Sequence, residues 1–543
     1  MPGTRERKGV RPMDYVRRNV WELGGDWADE VLWYARGVAA MKAKPLADPT
    51  SWRFYAGMHG FNQARWVELG YLSASDQPPT QAQLTQFWRQ CQHGSWYFLP
   101  WHRGYVLAFE ANIRAVVQAQ GGPSDWALPY WDYFGTDQAA LPPAFASPDW
   151  PDGVGDNPLF VSQRYGPNGD GDVFVPLDQV NLAALGDPNY TGVSGGGSPG
   201  FGGVDTGFSH GGPVHGGIET QPHDWVHGLV GGQDVQSPFT VGAMADPRTA
   251  GLDPIFWLHH TNIDRLWAAW NASSPGHTDP TQSTWLQGPA SIGEREFCAP
   301  MPDGSTWVYT PGEMTDLDAL DYTYEDITPT GVPPLPPVQD MAGSGVGGRA
   351  GLPGDRVPGD QVPADEAGGG AAVPEETNVE LVGANDEAVP VGAAPVSSRV
   401  RLDPRARRRV ADSHAGAGEA DTEATPVAPD RVFLNLENVR GQSDATAFSV
   451  YVGVGDDEDP ADHPELLAGS IAPFGVTQAS DADDEHGGEG LTFVLEITEI
   501  VDRMPLAEGL DVDDLPVRIV PRRPVGPEGE LEIGRISVFR QGR

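Results

Sequence analysis

Six histidines stand in two groups along this chain, and their spacing constrains its fold more than any other feature. The first group is His59, then Cys91-Gln-His93, then Phe98-Leu-Pro-Trp-His102-Arg103. The second is His223-Asp-Trp-Val-His227, then Asp253-Pro-Ile-Phe-Trp-Leu-His259-His260-Thr-Asn-Ile-Asp264-Arg265-Leu-Trp267. His223 and His227 lie at i and i+4, so on a helix they leave one face a turn apart and can reach one ion. His259 and His260 are helical neighbours that point about 100° apart. That spacing lets one of the two join the ion, and the expectation is His260 as ligand with His259 lining the site. Pro100 lies between His93 and His102 and disfavours a continuing helix. Those two histidines therefore come from different segments that converge, and His59 must fold back onto them. An HxxxH by itself is more often core packing than a ligand pair. Both groups together, flanked by Trp101, Phe256, Trp257 and Trp267, point to metal. Neutral imidazole suits copper, zinc, iron and nickel. Two sets of three imidazoles without carboxylate or free thiolate favour a pair of copper ions.

At 543 residues the chain is long enough for two or three domains. Its 17 Trp, 19 Phe and 14 Tyr supply core material, and they concentrate ahead of residue 310. A formal charge of −41 argues against nucleic acid and anionic membrane partners, which need basic patches. Cys91 and Cys298 are the only cysteines, so a disulfide framework is excluded although one bridge is not. No apolar run reaches the length of a membrane span. The N-terminus, MPGTRERKGVRPMDYVRRNVW, is basic but no apolar stretch follows, so it does not read as a signal peptide. The cytoplasm is the default location, with export beside a partner left open.

The chain divides into three parts. Residues 1–330 carry the aromatics and the histidines. Asp26–Lys44 has helical three-and-four spacing and stops at Pro45. Thr80 to Cys91 reads as another helix. Pro100 can open a third that runs to Gly121-Gly122. Residues 150–215 are rich in Gly, Pro and Asp and read as irregular loops. Pro222–Val230 is a short helix, and Asp253 with Pro254 can start a helix reaching Trp270. Residues 331–430 lose aromatics and are dominated by Pro, Gly, Ala, Val, Asp and Glu, which predicts a flexible linker. Within it, Arg399 to Arg409 form an abrupt basic run. It is either a solvated charge cluster or a protease-sensitive site. Residues 431–543 alternate apolar and polar residues in RVFLNLENV, AFSVYVGV, LTFVLEITEIV, PVRIVPR and ELEIGRISVFR. That period predicts a small all-β domain, an antiparallel sandwich.

The pieces Cys91-x-His93, FLPWHR at 98–103, HxxxH at 223–227 and DPIFWLHHTNIDRLW at 253–267 resemble the two copper-binding signatures of tyrosinases and polyphenol oxidases. The resemblance covers most of residues 12–330. It implies a helical bundle around a coupled dinuclear, type 3 copper site. It implies His59, His93 and His102 on the first copper and His223, His227 and His260 on the second. Cys91 matches the position at which some relatives form a thioether to the histidine ring. Tyr322-Thr-Tyr324 resembles the Y-x-Y that closes the family's catalytic core and is expected to pack on Arg17 or Arg18. Glu219 resembles a glutamate that holds an active-site water in plant polyphenol oxidases. Asp224 departs from the Asn of many tyrosinases. A carboxylate accepts a proton but donates no amide hydrogen bond, so the departure bears on monophenol hydroxylation. The segment from Met244 to Leu252 lacks the bulky aromatic that gates the second copper in some relatives, which predicts open access.

LLAGSI, LEITEIV, PVRIVPR and ELEIGRISV follow the order of the C-terminal domain of plant-type polyphenol oxidases, which covers the copper site and keeps the enzyme latent. The resemblance therefore implies a latent oxidoreductase that takes o-diphenols, and monophenols as far as Asp224 permits, to o-quinones with dioxygen as co-substrate. An o-aminophenol oxidase and a hemocyanin-like oxygen carrier share the same site and stand as alternatives. The expected partners are small phenols and dioxygen.

Overall fold

The computed structural model describes residues 15–153, 155–237, 240–329, 378–418, 429–482, 488–503, 514–522, 525 and 529–542. Residues 1–14 and residues 331–377 and 419–428 of the expected linker lie outside them. Among the described residues, no helix is long and apolar enough to cross a membrane.

Five helices frame the first domain: α1 (Asp29–Lys42), α2 (Trp52–His59), α3 (Phe98–Ala119), α4 (Trp225–Gly231) and α5 (Pro254–Ser273). Their starts follow local chemistry. Ser51 Oγ accepts from the Phe54 N–H at the head of α2, and Asp253 Oδ1 accepts from Ile255 at the head of α5. Pro100 falls within the first turn of α3, two residues later than expected. Proline is tolerated there because first-turn N–H groups have no intrahelical acceptor. Before α4, Pro222 interrupts the ladder, so Glu219–Asp224 forms an irregular turn and His223 precedes the regular helix. The core is aromatic. Trp257 of α5 stacks on Phe109 of α3 at 3.5 Å and meets Trp52 of α2 edge-on at 6.1 Å.

A charged lock closes this domain. Strand β1 (Tyr15–Arg17) pairs in parallel with β2 (Tyr322–Tyr324). The fully buried Arg17 guanidinium reaches Glu110 at 2.6 Å and Asp264 at 2.9 Å. The Tyr322 and Tyr324 hydroxyls also donate to Asp264, at 2.6 and 2.5 Å. Arg103, one residue after His102, donates to the same carboxylate and lies 3.7 Å over Trp267. The ends of the domain are thus tied to α3 and α5, two of the helices that carry histidines. Of the two arginines expected here, Arg17 fills the role.

The second domain is all-β, as expected. Its strands are β3 (Val379–Ala384), β4 (Val389–Val391), β5 (Val396–Leu402), β6 (Arg431–Gly441), β7 (Phe448–Val452), β8 (Leu467–Ile471), β9 (Leu491–Glu496), β10 (Asp514–Pro521) and β11 (Leu531–Gln541). They form one antiparallel sheet in the order β8-β7-β10-β5-β3-β11-β6-β9, with β4 on β11. The sheet curls until its outer strands approach: a Cβ on Gly469 of β8 would stand 3.1 Å from Leu495 of β9. Full closure is the route by which a sheet hides its edges.

The expected linker boundary is corrected here. Residues 378–418 belong to the β-domain. β3 pairs with β11, and β5 lies between β3 and β10. After Asp403, whose carboxylate accepts from Arg405 and Ala406 N–H at 2.9 Å, helix α6 (Pro404–Gly418) buries Ala406 and Val410 in the β-domain core. The basic run at 399–409 is therefore strand and helix. Arg399 pairs with Asp456, Arg401 with Asp386 at 3.3 Å and Arg409 with Glu380. A hydrogen-bonded backbone is a poor protease site. These strands escaped the pattern because they are short, interrupted by Pro and Gly, and paired with partners far along the chain.

Replacing Arg17 by Ala takes a buried guanidinium away from Glu110 and Asp264, which keep only Arg114 at 3.0 Å and Arg103 as charged partners, so the first domain should lose roughly 3–5 kcal/mol of unfolding free energy. Arg18, 39% exposed beside Glu30 and Glu325, should cost no more than about 1 kcal/mol on the same change. Denaturant unfolding of both variants checks the contrast.

Candidate metal centre

The helices bring every expected histidine to one place. His59 ends α2, His102 lies in the second turn of α3, and His93 sits in the loop before it. With Cys91 they form a buried group whose donor atoms lie within 4.8 Å of one another. His223, His227, His259 and His260 form a second group under the same limit. The expectation that only one of His259 and His260 reaches the second group is too narrow, since the four donors converge closely enough to admit both.

The two groups face each other. The rings of His102 and His260 stack at 4.5 Å and 16°. His227 Nε2 lies 3.3 Å from His260 Nε2. Phe256, 4.1 Å from the His260 ring and 4.9 Å from His59, packs behind both groups. His259 leans the other way, toward Tyr133 at 5.9 Å.

Backbone carbonyls orient the rings. His59 Nδ1 donates to Pro247 O, His102 Nδ1 to Phe98 O and His227 Nδ1 to Met244 O, each at 2.8 Å. Each such bond assigns the proton to Nδ1 and aims Nε2 inward. Among the described residues, His59 Nε2, His223 Nε2, both His259 nitrogens and His260 Nδ1 are buried without a hydrogen-bond partner. Orphaned polar atoms of this kind are costly, and so many converging nitrogens fit two metal ions. Burial also lowers the pKa of all seven imidazoles, to about 3 for His59 and His259, so they are held neutral as ligands must be. Cys91 Sγ stands 3.5 and 3.6 Å from the two nitrogens of His93 and 3.4 Å from His102 Nε2. Burial, with Glu219 adding to it, pushes its thiol up.

A carboxylate pair borders the clusters. Both oxygens of the fully buried Glu219 accept from Gly94 N–H, at 3.0 and 3.1 Å. Asp224 accepts from His223 Nδ1 at 2.8 Å and from His215 Nδ1 at 2.7 Å. Burial acts to lower the His215 pKa, but Glu219 and Asp224 outweigh it and raise it to about 9. Glu219 is itself raised by burial, to about 8. His215 was not among the residues singled out in the sequence. The signal was Asp224, a buried carboxylate that needs a partner.

Access is closed, contrary to the expectation drawn from the segment Met244–Leu252. The cover comes from the β-domain. In the turn Ile471-Ala-Pro-Phe-Gly, Phe474 stacks on His227 at 4.3 Å and 22° and stands 5.7 and 5.9 Å from His223 and His93. A narrow cavity behind it is lined by His93, His210, His215, Pro247 and Phe474. The domains are also joined by Thr492 N–H donating to Pro213 O at 2.6 Å and by Arg431 on Asp187 at 3.2 Å.

A helical domain that holds two facing groups of buried imidazoles under a β-domain defines a dinuclear metal protein. Residues 49–199 and 183–273 match the common central domain of tyrosinase, and residues 378–541 match a domain of unknown function, DUF7868. A tyrosinase of Hahella sp. (strain CCB-MM4) is 29% identical over 541 residues, 97% of this chain and 99% of that one. A chloroplastic polyphenol oxidase of Malus domestica is 28% identical over 260 residues, 47% of this chain and 40% of that one. Among solved structures, latent apple tyrosinase superposes with a TM-score of 0.58 at 20% identity, covering 97% of each chain. Residues 49–273 thus carry the central domain of the tyrosinase family of copper oxidoreductases, and the two histidine groups match that family's two copper ions.

One interface group titrates. Asp444, in the β-domain loop over α4, is buried and accepts from Thr477 N–H at 2.9 Å. Burial raises its pKa to about 7, Asp246 adds to the rise, and Arg248 opposes it. Its contribution to docking is complete below the ordinary value of 3.8 and is lost as the pH rises to about 7. Docking of the β-domain should therefore be weaker at about pH 8 than at about pH 5, and Asp444→Asn should flatten that slope. Rates of limited proteolysis at the two pH values check it.

Proposed function

We propose that the protein is a copper-dependent polyphenol oxidase that takes o-diphenols to o-quinones with dioxygen, and that the full chain is latent. The observation that supports it most is the approach of the two groups, with the His102 and His260 rings 4.5 Å apart. His59, His93 and His102 are assigned to one copper and His223, His227 and His260 to the other. His260 is preferred to His259 because its ring lies between the groups. Two coppers held there supply the two-electron redox chemistry of diphenol oxidation.

The chain's own side chains do the rest. Neutral ligands leave the metal charge uncompensated, which favours a phenolate beside them. Glu219, held by Gly94 N–H, is assigned to the phenolic proton, and Asp224 supports it by holding the ring of His223. His227 offers a ring face for the incoming phenol. His259, at the Tyr133 side, lines the same chamber.

Phe474 occupies that ring face in the full chain. An aromatic side chain stacked where a phenol would stack competes with it directly, and this supports latency. The Sγ of Cys91 stands 3.5 and 3.6 Å from the two His93 nitrogens, a position from which it would bond the ring carbon between them, the S–H and C–H hydrogens leaving as two protons and their two electrons going to dioxygen, the oxidant of the proposed reaction. Such a thioether would lock His93 in place.

Copper-loaded Phe474→Ala should oxidise a simple catechol at least about tenfold faster than the full chain, because direct competition for the ring face is removed. Protein cleaved between the domains should behave alike. If neither form makes quinone, the reading fails. An o-aminophenol assayed in parallel identifies the preferred substrate. His223→Ala should bind one copper per chain in place of two, read by metal analysis.

A further inference from the structure

Beside the ligand groups lies one imidazole that belongs to neither. His215 is 8% exposed, in the loop that follows Pro213. Its Nδ1 is engaged by Asp224 Oδ2 at 2.7 Å and lies 3.7 Å from Glu219 Oε1. Among the described residues, neither four-donor group includes it.

Its contacts reach both groups. Asp224 spends its two oxygens on two imidazoles: Oδ1 on His223 Nδ1 at 2.8 Å and Oδ2 on His215. His215 is thus tied through one carboxylate to a ligand of the second group. On its other side, its ring stacks on His93 of the first group, with centroids 6.2 Å apart and planes at 24°. The backbone on which it sits is anchored from outside the helical domain, where Val214 bridges to Thr492 of β9.

We propose that His215 is a positioning residue for both metal sites. It holds Asp224 so that His223 keeps its proton on Nδ1 and turns Nε2 toward the metal, and it packs the ring of His93. The physical reason lies in Asp224, which is 1% exposed. A buried carboxylate bound to a single imidazole lacks a partner for its second oxygen, and an unmatched buried charge is expensive. Without His215, Asp224 would turn to recover a partner and carry the His223 ring with it. This inference rests on the assignment of His93 and His223 as copper ligands.

The test is copper affinity and not turnover. Apo-protein of full length is titrated with Cu(I) against a chelator of known affinity. The wild type reports on the assignment itself and should hold two coppers. His215→Ala should weaken the second copper by about ten- to a hundredfold, the usual cost of losing a partner behind a ligating histidine. Adding Asp224→Asn to His215→Ala should restore most of that loss, since a neutral carboxamide accepts from His223 without needing a charged neighbour. His215→Gln keeps a side-chain donor and should fall between wild type and His215→Ala. It also serves if His215→Ala does not fold. A role limited to packing would give equal losses with and without Asp224→Asn, and that additivity would overturn the proposal. Unchanged affinity in His215→Ala, or in His215→Gln where only that variant folds, would overturn it as well. Wild-type protein that holds two coppers, together with Phe474→Ala and cleaved forms that oxidise no phenol, would sink the functional reading and leave this test intact.

Discussion

Seven imidazoles are buried around two points and several of their nitrogens have nothing to bond, and the rest of the molecule is arranged around that fact. A protein interior does not tolerate orphaned polar atoms without compensation. Here the compensation is metal, and it requires the rings to be neutral and aimed. Burial keeps them neutral. Carbonyls at Phe98, Pro247 and Met244 and the carboxylate of Asp224 aim four of them. Those acceptors come from a helix turn, two loops and an irregular turn, so the site exists only when the whole first domain is assembled.

That assembly explains the cluster at Arg17. Asp264 is five residues after His259 on α5, and Arg103 follows His102 on α3. One carboxylate therefore couples α3 and α5, and Arg17, Tyr322 and Tyr324 bring both ends of the domain to it. Burial disfavours its charge, but Arg103 and Arg17 overcome that and keep Asp264 ionised. The lock thereby ties α3, which carries His102, to α5, which carries His259 and His260.

The β-domain meets the site with a single aromatic turn. Glycine at 475 is required there, because its φ of 86° lies where side chains are strained. The turn carries Phe474 onto His227 while Asp444 and Thr492 hold the surrounding rim. Cover and catalytic chamber are thus one packed unit, which is why the domain boundary could not be placed from composition.

The histidines that converge were legible because they sit in periodic, closely spaced motifs: HxxxH, the histidine pair after Asp-Pro, and Cys-x-His. Helix starts at Ser51 and Asp253 were local matters of capping. The period-two runs after residue 431 were legible for the same reason. What required the tertiary structure was every contact between segments distant in sequence. Strands at 379–402 read as linker because their partners lie as far as 162 residues away, as in Val379 on Gln541. Phe474 reads as an ordinary turn residue until the sheet curls over α4. His215 reads as loop until Asp224 needs a second donor. The residue pattern determined which atoms could bind metal, since that depends on side-chain chemistry and spacing along one helix. Folding alone decided how the two sites face each other, which neighbours hold them and what closes them, since those depend on distances no local pattern encodes.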